Sequence, residues 1–487
     1  MITITMPSSK GTAISRVSNV MSPSSYDTKG QTLAFDARVD SFFPLDHSKV
    51  IHLNLRVKDK ILRAIVKASA VAKVTWDTSQ QLTAESIVRV TGHFAQHICD
   101  DEVRGNTAYA TIYVSALDVI AWASADLPLS SSHPKKMLSH VDLEERLSNR
   151  ILDVRYAASG AIFKLHSGMC QLVVEFLCSN NFHWIHTPRI ITATIPGDNE
   201  YFHLPYFGKD AWLAQSSQHH KQMALSMDMQ RVFEIGPVFR AEVKSRKSMR
   251  HVTEFTVLDI AMAFYDDYHE VVEMIESMLV FIFHELQRRP QYQKLIEVVQ
   301  QMYPDVRPFR VGLNECGKVP RISFLEAKRI LRDEIGLESD DHKNFTEQEE
   351  AALGQHFRVS PHRGKTDIFT IDQYPASLRQ FNSQPNPDAP GFSNTWDTIV
   401  GGREICSGSQ RIHSYRDLCD AMRAGVCGPP LDPDAEQWQP YLNAFRAGMP
   451  PHGGCGLGIN RLLQSFLGLD DVREATLFPR DVNRLRP

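Results

Sequence analysis

The 487-residue sequence lacks several features that would assign it to a specialised class of protein. Its eight cysteines form no Cys-x-x-Cys pair, which argues against a zinc finger and against a secreted disulfide scaffold. No stretch approaches the roughly 18 uncharged apolar residues of a membrane-spanning helix, and the first thirty residues lack the apolar core of a secretory signal. The sequence therefore predicts a protein of a reducing compartment without a membrane partner.

An excess of charge of either sign is also absent. The formal net charge is −4, so nucleic-acid binding would have to rest on local patches or on the reading of specific bases. Hydrophobic residues make up 43% and charged residues 23% of the chain, which is ordinary globular composition. Because single cores stop growing near about 250–300 residues, this length predicts two or three domains.

The first part of the chain divides into three regions. Residues 1–30 are rich in Ser and Thr and predict a disordered tail, although the same composition also suits a mitochondrial transit peptide. Residues 31–125 contain five short β-forming runs, several alternating at period two, which predict a small closed barrel. An oligonucleotide-binding barrel and a purely structural β-domain both fit this pattern. Residues 126–146 predict a linker or hinge.

Residues 147–487 show helical periodicity and predict a second domain. Apolar residues recur at three- and four-residue steps between Ile162 and Phe176, so one face of a long helix is apolar. The run 255–264 predicts a strand, followed by a helix that ends near Glu285. Strands interrupted by helices, rather than strictly alternating with them, favour an α+β domain with a largely antiparallel sheet.

Two polar segments of this domain carry residues suited to binding. Residues 213–222 read LAQSSQHHKQ, with a single lysine; a solvated helix start is the alternative interpretation. Residues 232–242 read VFEIGPVFRAE and precede a basic run and then Phe255. A strand ending in Arg240, a basic loop and a returning strand describe a hairpin that could hold a polyphosphate and a flat base. A solvated charge run is the alternative.

A third segment, residues 451–461, reads PHGGCGLGINR. Its glycines alternate at 454, 456 and 458, which fits neither the dinucleotide-binding spacing nor a phosphate-binding P-loop. Alternate glycines leave one face of a strand bare, so that a flat ligand or a neighbouring backbone can approach closely, with Arg461 facing the ligand. Tight helix–strand packing is the alternative.

In this order, the three segments resemble the signature motifs of class II aminoacyl-tRNA synthetases, and more closely the aspartyl-tRNA synthetases of the archaeal and eukaryotic type. Further matches are HTP at 186–188, EICSGSQRIH at 404–413 and FPRD at 478–481, so the resemblance covers nearly all of the chain after the tail. It implies an oligonucleotide-binding-fold (OB-fold) anticodon-binding domain at 31–125. It also implies a class II catalytic domain at 147–487, an antiparallel sheet flanked by helices.

The resemblance implies an enzyme that activates L-aspartate with ATP and Mg²⁺, releasing pyrophosphate. Aspartate is then transferred to the 3′ end of tRNA(Asp), releasing AMP. A cytoplasmic homodimer is expected, with the mitochondrial matrix as the alternative location. The alternatives for function are an asparagine–tRNA ligase and a catalytically impaired, tRNA-binding or regulatory paralogue.

The resemblance also assigns roles to individual residues, with Arg240 and Arg461 as the catalytic pair. The implied ATP-binding residues are Arg240, Glu242, Arg250, His251, Phe255, Glu404, Gly458 and Arg461. The implied aspartate-binding residues are Gln218, Lys221, Arg240, Asp259, Ser407 and Arg411. Glu404 and Ser407 are the implied Mg²⁺ contacts, and His52 and Arg56 the implied tRNA contacts. Lys221 favours aspartate, since the relative that handles asparagine lacks this lysine.

Some positions depart from the family's pattern. Ile195 stands where an acidic residue usually clamps the substrate's α-amino group, and Asp198 or Glu200 could substitute for it. Ala261 and Asn460 stand where the family usually has Glu, and His52 stands where it tends to use Phe. A histidine can still stack on a base. These departures keep the impaired paralogue open as an alternative.

Overall fold

The computed structural model describes residues 32–45, 49–57, 60–99, 107–129, 141–192, 194, 201–241, 250–304, 307–425 and 428–486. The chain forms two compact units that divide between Ala157 and Ala158. The predicted tail, residues 1–30, lies outside the described residues, and so does the middle of the predicted linker. The division falls beyond the predicted linker, so the helices that follow the linker belong to the first unit.

The first unit contains a closed five-stranded barrel in the order β1-β2-β3-β5-β4. Its strands are β1 (Thr32–Leu45), β2 (Val50–Val57), β3 (Lys60–Lys67), β4 (Ile87–Cys99) and β5 (Thr107–Ala121). Only β3 and β5 pair in parallel among the described strands of this barrel. Because side chains alternate along a strand, Ile51 and Leu53 fill the interior while His52 points outward. The predicted barrel is confirmed.

Three helices complete the described part of this unit. They are α1 (Lys73–Gln80), α2 (Leu143–Ser148) and α3 (Arg150–Asp153). The sequence did not predict α1, which is short and largely polar. Asp142 caps α2 by accepting the backbone N–H of Glu144, which places an acceptor on one of the helix's otherwise unbonded amides.

The second unit begins with helix α4 (Ala157–Ser179), which is longer than predicted at both ends. By length and composition alone it could cross a membrane, although Lys164 and Glu175 interrupt it, so it contains no run of 18 uncharged residues. The same test is passed by core helices, and the buried face of α4, which includes Ile162, Leu165 and Met169, packs into the main hydrophobic cluster of this unit.

An eight-stranded sheet in the order β12-β13-β14-β15-β16-β11-β10-β6 forms the centre of the second unit. Its strands are β6 (His183–Trp184), β10 (Arg231–Phe239), β11 (Glu254–Ala263), β12 (Arg321–Ser323), β13 (Ile368–Asp372), β14 (Thr395–Val400), β15 (Arg403–Arg411) and β16 (His452–Gly458). All neighbouring pairs except β12/β13 and β10/β6 are antiparallel. The predicted α+β architecture with a largely antiparallel sheet is confirmed.

A small sheet and eight further helices surround this core in the described residues. The small sheet contains β7 (Ile190–Ile191), β8 (His203–Tyr206) and β9 (Lys209–Leu213). The helices are α5 (Gln218–Leu225), α6 (His269–Arg288), α7 (Pro290–Met302), α8 (Phe324–Arg329), α9 (Glu347–Val359), α10 (Tyr415–Ala424), α11 (Gln439–Arg446) and α12 (Ile459–Leu467). Strand β16 runs directly into α12, so the predicted strand-to-helix step at Arg461 is confirmed.

Candidate active site

A cavity of about 350 Å³ lies against the central strands β10, β11, β15 and β16. Every predicted ATP- or aspartate-binding residue lines it, with two exceptions. Glu242 lies outside the described residues, and Lys221 lies behind Asp259. Five arginines, the rings of Tyr201 and Phe255 and the carboxylates of Asp259 and Glu404 thus converge on one space, although they come from segments far apart in the sequence. The cavity is suited to an anionic ligand that carries a flat ring.

A buried ion pair forms one end of this cavity. The ammonium of Lys221 donates to Asp259 Oδ1 at 2.8 Å and to the carbonyl of Cys455 at 3.0 Å. Asp259 Oδ2 accepts from the backbone N–H and the hydroxyl of Ser217, at 3.0 and 2.9 Å. Although burial opposes it, the charge of Lys221 and these hydrogen bonds hold the pKa of Asp259 below its usual value. Lys221 was expected to hold a substrate carboxylate directly; here it holds the carboxylate of Asp259.

Arg411 lies at the same end and differs from Lys221 in its partners. Its guanidinium donates to Asn382 Oδ1 at 2.9 Å and to Gln218 Oε1 at 2.8 Å, both of which are neutral amide oxygens. Among the described residues, no carboxylate lies within ion-pair distance of Arg411. Burial lowers the pKa of Arg411 to about 10, which reflects the cost of burying a cation. The site therefore keeps one buried positive charge that a ligand's carboxylate could neutralise.

The other end of the cavity combines an aromatic ring with two arginines. The guanidinium of Arg240 lies 5.4 Å from the centroid of the Phe255 ring. Arg461 donates to the backbone carbonyls of Glu404 at 3.1 Å and Arg250 at 3.3 Å, so its position at the start of α12 is fixed. Burial lowers the pKa of Arg461. A planar base can pack against such a ring, and phosphates can bind such cations.

The alternate glycines of β16 serve two different purposes. A Cβ atom at Gly454 would lie 2.2 Å from the carbonyl oxygen of Ile260 on β11, so this glycine is required by the neighbouring backbone. Gly456 and Gly458 line the cavity, and the nearest atoms to a Cβ there would lie 3.5 and 3.6 Å away. The expected close approach of a neighbouring backbone is therefore confirmed at Gly454, while Gly456 and Gly458 face the cavity.

A cluster of acidic side chains surrounds Glu404 on β15. Burial and the nearby charges of Asp397 and Glu350 raise the pKa of the Glu404 carboxyl to about 7. Arg379 donates to Asp397 Oδ2 at 2.6 Å and to the hydroxyl of Ser407 at 2.9 Å. Neither Arg379 nor Asp397 was predicted from the sequence. A lone aspartate inside the apolar run of β14 was the available signal, since a buried charge is rarely tolerated without a partner.

A divalent cation would relieve this crowding of carboxylates. Within the described ranges, no group of three or more His, Cys, Asp or Glu is arranged as a metal site. Mg²⁺ that accompanies a nucleotide takes most of its oxygen ligands from phosphates and water, so one or two protein ligands are sufficient. Glu404 and Ser407 therefore fit the ion as protein contacts.

Three of the departures from the family's pattern, Ala261, Asn460 and His52, lie in the described residues. Asn460 accepts the backbone N–H of Thr256 at 2.9 Å and donates to the carbonyl of Ala475 at 3.0 Å. A glutamate could accept from the first group but could not donate to the second. Ala261 is buried in the sheet. Ile195, Asp198 and Glu200 lie outside the described residues.

The two predicted tRNA contacts in the barrel unit have different surroundings. His52 is exposed and pairs with Phe43 and Ile65 on the adjacent strands, so the half-exposed ring of Phe43 lies beside it. Arg56 donates to both carboxylate oxygens of buried Glu85, at 2.6 and 2.7 Å. Its side chain is therefore engaged in an ion pair with Glu85, and its contact with tRNA stays a prediction.

Comparison with known proteins gives consistent similarities. The family described as tRNA synthetases class II (D, K and N) matches residues 142–482. The cytoplasmic aspartate–tRNA ligase of Mus musculus is 42% identical over 348 residues, which are 71% of this chain and 66% of the mouse protein. The chain thus spans just under two thirds of that relative's length.

Two solved structures are also similar. A putative aspartyl-tRNA synthetase from Leishmania major Friedlin has a TM-score of 0.84 at 30% identity, covering 100% of this chain and 97% of that chain. An asparaginyl-tRNA synthetase from Pyrococcus horikoshii has a TM-score of 0.76 at 28% identity, covering 94% and 97%. The likeness therefore extends over both units of the chain.

Proposed function

This chain belongs to the class II tRNA synthetases of the aspartate, lysine and asparagine group, and on that premise we propose that it ligates L-aspartate to tRNA(Asp). The reaction consumes ATP, forms aspartyl-adenylate and pyrophosphate, and then releases AMP as the tRNA is charged. The observation that carries the choice of amino acid is the buried cation of Arg411, which has no carboxylate partner among the described residues.

The charges at this end of the cavity favour a carboxylate over an amide. Lys221 and Asp259 form a buried pair whose charges cancel, so the charge of Arg411 is left over. A substrate carboxylate would complete a second pair with Arg411, and the planar guanidinium can bind it with two parallel hydrogen bonds. Asparagine would leave the buried cation without a counter-ion, which is costly.

At the other end, adenine stacks on Phe255, with Arg461 on its opposite face. Arg240 binds the α-phosphate, and Arg250, His251 and Glu242 complete the nucleotide site. The distance of 5.4 Å between the guanidinium of Arg240 and the ring of Phe255 supports this arrangement, since base and phosphate would lie side by side. Gly458 leaves room for close approach of the base.

No protein nucleophile is required by this chemistry. The α-carboxylate of aspartate attacks the α-phosphorus in line, and the protein contributes positioning and stabilisation of the developing charge. Arg240 provides a positive charge at the α-phosphate, and Arg411 and Gln218 fix the far end of the amino acid. Bound Mg²⁺, held by Glu404 and Ser407, would neutralise charge on the phosphates.

We further propose that the closed barrel is an OB-fold that binds the anticodon. The strand order β1-β2-β3-β5-β4 and the exposed aromatic side chains of Phe43 and His52 support this assignment. Unpaired bases stack on such side chains, at about 1–3 kcal/mol per base. The second unit, which carries the cavity, is the catalytic domain.

A cytoplasmic homodimer is the proposed assembly. The relatives are named cytoplasmic enzymes, which supports that location. Strand β6 lies at one edge of the eight-stranded sheet, where Trp184 is about half exposed, and an isologous two-fold contact would cover it together with α4. Sedimentation should give a dimer at micromolar concentration, and a monomer would contradict this proposal.

ATP–pyrophosphate exchange with aspartate and with asparagine tests the proposed activity. Exchange stimulated by aspartate alone is expected. Exchange stimulated by asparagine alone would favour the asparagine–tRNA ligase. No exchange with either amino acid, together with retained tRNA binding, would favour the impaired paralogue that Ile195, Ala261 and Asn460 suggest.

A further inference from the structure

A continuous series of hydrogen bonds runs from Arg411 away from the cavity. Arg411 Nη2 donates to Gln218 Oε1 at 2.8 Å, and Gln218 Nε2 donates to Gln222 Oε1 at 3.2 Å. Gln222 Nε2 lies 2.7 Å from His452 Nε2, and His452 Nδ1 lies 2.8 Å from the carbonyl oxygen of Pro450. All four side chains in the series are buried, so water does not substitute for any of these partners.

Both ends of the series fix the direction of every bond in it. Arg411 can only donate and the carbonyl of Pro450 can only accept. From the first end, Gln218 must turn its carbonyl oxygen toward Arg411, and Gln222 must turn its carbonyl oxygen toward Gln218. From the second end, His452 must carry its proton on Nδ1, which leaves Nε2 as the acceptor for the amide of Gln222. The two assignments agree.

Surrounding groups keep His452 neutral and Gln222 in one orientation. Burial lowers the pKa of His452 to about 4, and the charges of Arg411 and His413 act in the same direction. Tyr441 donates its hydroxyl to Gln222 Oε1 at 3.0 Å. Reversing the Gln222 amide would set its NH₂ group against the donor Nε2 of Gln218 and its carbonyl oxygen against the acceptor Nε2 of His452.

We propose that His452 is a positioning residue that acts through Gln222 and Gln218 to orient Arg411 and so selects aspartate over asparagine. This inference rests on the proposed function. Gln218 lines the cavity, and its carbonyl oxygen is occupied by Arg411 while its amide is occupied by Gln222.

The orientation of the Gln218 amide oxygen affects the choice between aspartate and asparagine. While the series is intact, the amide oxygen of Gln218 is held toward Arg411, so only its second lone pair is left for the side-chain NH₂ of asparagine. If Gln222 loses its anchor, Gln218 can rotate and present that oxygen to the cavity. Arg411 then loses a fixed partner, and asparagine gains an acceptor.

The test compares His452→Leu with the wild-type full-length protein in ATP–pyrophosphate exchange. Loss of the anchor is expected to raise the KM for aspartate about tenfold and to lower the preference for aspartate over asparagine by about tenfold, the equivalent of one hydrogen bond. The KM for ATP should change less than about twofold, because the nucleotide end does not touch the series.

Two further variants separate positioning from stability. His452→Gln offers an amide oxygen near the place of Nε2 and should restore the KM for aspartate to within about threefold of wild type. Gln464→Leu is the matched control, since Gln464 is a fully buried amide that donates to the carbonyl of Asp470, outside the series. It should lower the melting temperature without altering the preference between the two amino acids.

The possible outcomes distinguish this inference from the proposed function. If wild-type protein shows no aspartate-dependent exchange, the proposed function fails first. The positioning role is wrong if wild-type protein shows exchange but His452→Leu keeps the wild-type preference for aspartate over asparagine. It is also wrong if His452→Leu raises the KM for aspartate and the KM for ATP by the same factor. Should His452→Leu not fold, Gln222→Met, which keeps the side-chain volume, is expected to show the same tenfold changes, and an unchanged preference in it would overturn the inference.

Discussion

Two groups of buried charges, one in the barrel unit and one in the cavity, differ in how completely they are neutralised. In the barrel unit, the buried carboxylate of Glu85 is contacted by Arg38, Arg56 and Arg155, and Asp40 lies 3.5 Å from Arg56. In the cavity, the hydrogen bonds of the Arg411 side chain within the described residues go to the neutral amide oxygens of Asn382 and Gln218. The buried carboxylate of Glu85 therefore has its counter-ions within the protein, whereas the buried cation of Arg411 lacks an anion among the described residues.

The difference separates a structural ion pair from a binding site. A buried charge that the fold satisfies contributes to stability or to the uniqueness of the fold, and its removal leaves other charges unpaired. A buried charge that the fold leaves unsatisfied has been desolvated in advance for a ligand, which then supplies the missing counter-ion. Both groups contain a buried charge, Glu85 in one and Arg411 in the other, and they differ in whether the protein supplies an oppositely charged partner.

The largest expected effect is on Arg411. Arg411→Ala should reduce aspartate-dependent ATP–pyrophosphate exchange by roughly several hundred-fold or more, because a substrate carboxylate left unpaired in a buried site costs about 3–5 kcal/mol. The KM for ATP should stay within about threefold of wild type. Arg288→Ala, which removes an exposed side chain that pairs with Glu285, serves as the control and should leave both parameters unchanged. A loss below about tenfold, or about 1.4 kcal/mol, would contradict the assignment of Arg411.

The corresponding change in the barrel unit is Glu85→Gln, and its effect should fall on stability. The three arginines would face a neutral side chain, and since they are partly exposed the expected loss is about 2–3 kcal/mol in the free energy of unfolding of this unit. Hydrogen-exchange mass spectrometry of peptides from β2 and β4 measures that loss locally. Aspartate-dependent exchange should be unchanged.

Asp36→Asn is the matched control for Glu85→Gln. Asp36 pairs with Arg89 on the same barrel, but the two side chains are 38% and 58% exposed. An exposed pair contributes at most about 1 kcal/mol. If the two variants destabilised the barrel equally, the distinction between satisfied buried charges and surface charges would not hold.

The sequence predicted the periodic parts of the fold and the residues of the cavity well. Alternation in the barrel strands and three- to four-residue spacing in α4 are local patterns, and the structure confirms both. The resemblance to a known family placed Arg240, Phe255 and Arg411 in one site, and they do line one cavity. Helix α1 was missed because eight mostly polar residues carry little periodic signal.

Partners between distant positions could not be predicted. Arg56 was expected to point outward, which is where alternation places it, but Glu85 reaches it from 29 positions away. Lys221 was expected to bind aspartate, but its ammonium pairs with Asp259, 38 positions away, and Asp259 rather than Lys221 lines the cavity. Gln222 and His452 are 230 positions apart. Each of these pairs depends on tertiary packing, for which a single sequence carries no local pattern.

The smallest expected effect concerns His52. It lies on β2 like Arg56, but among the described contacts it has no ion pair comparable to that of Arg56 with Glu85. His52→Ala should raise the KM for tRNA by roughly five- to a hundredfold, because loss of a base–aromatic stack costs about 1–3 kcal/mol. ATP–pyrophosphate exchange without tRNA should be unchanged, since only the barrel is altered.

Arg56→Ala is the contrasting variant on the same strand, and it should destabilise the barrel because Glu85 loses its bidentate partner. An unchanged KM for tRNA in His52→Ala would show that other residues of the barrel read the anticodon, and equal loss of charging and exchange would place His52 with Arg56 among the residues that maintain the fold.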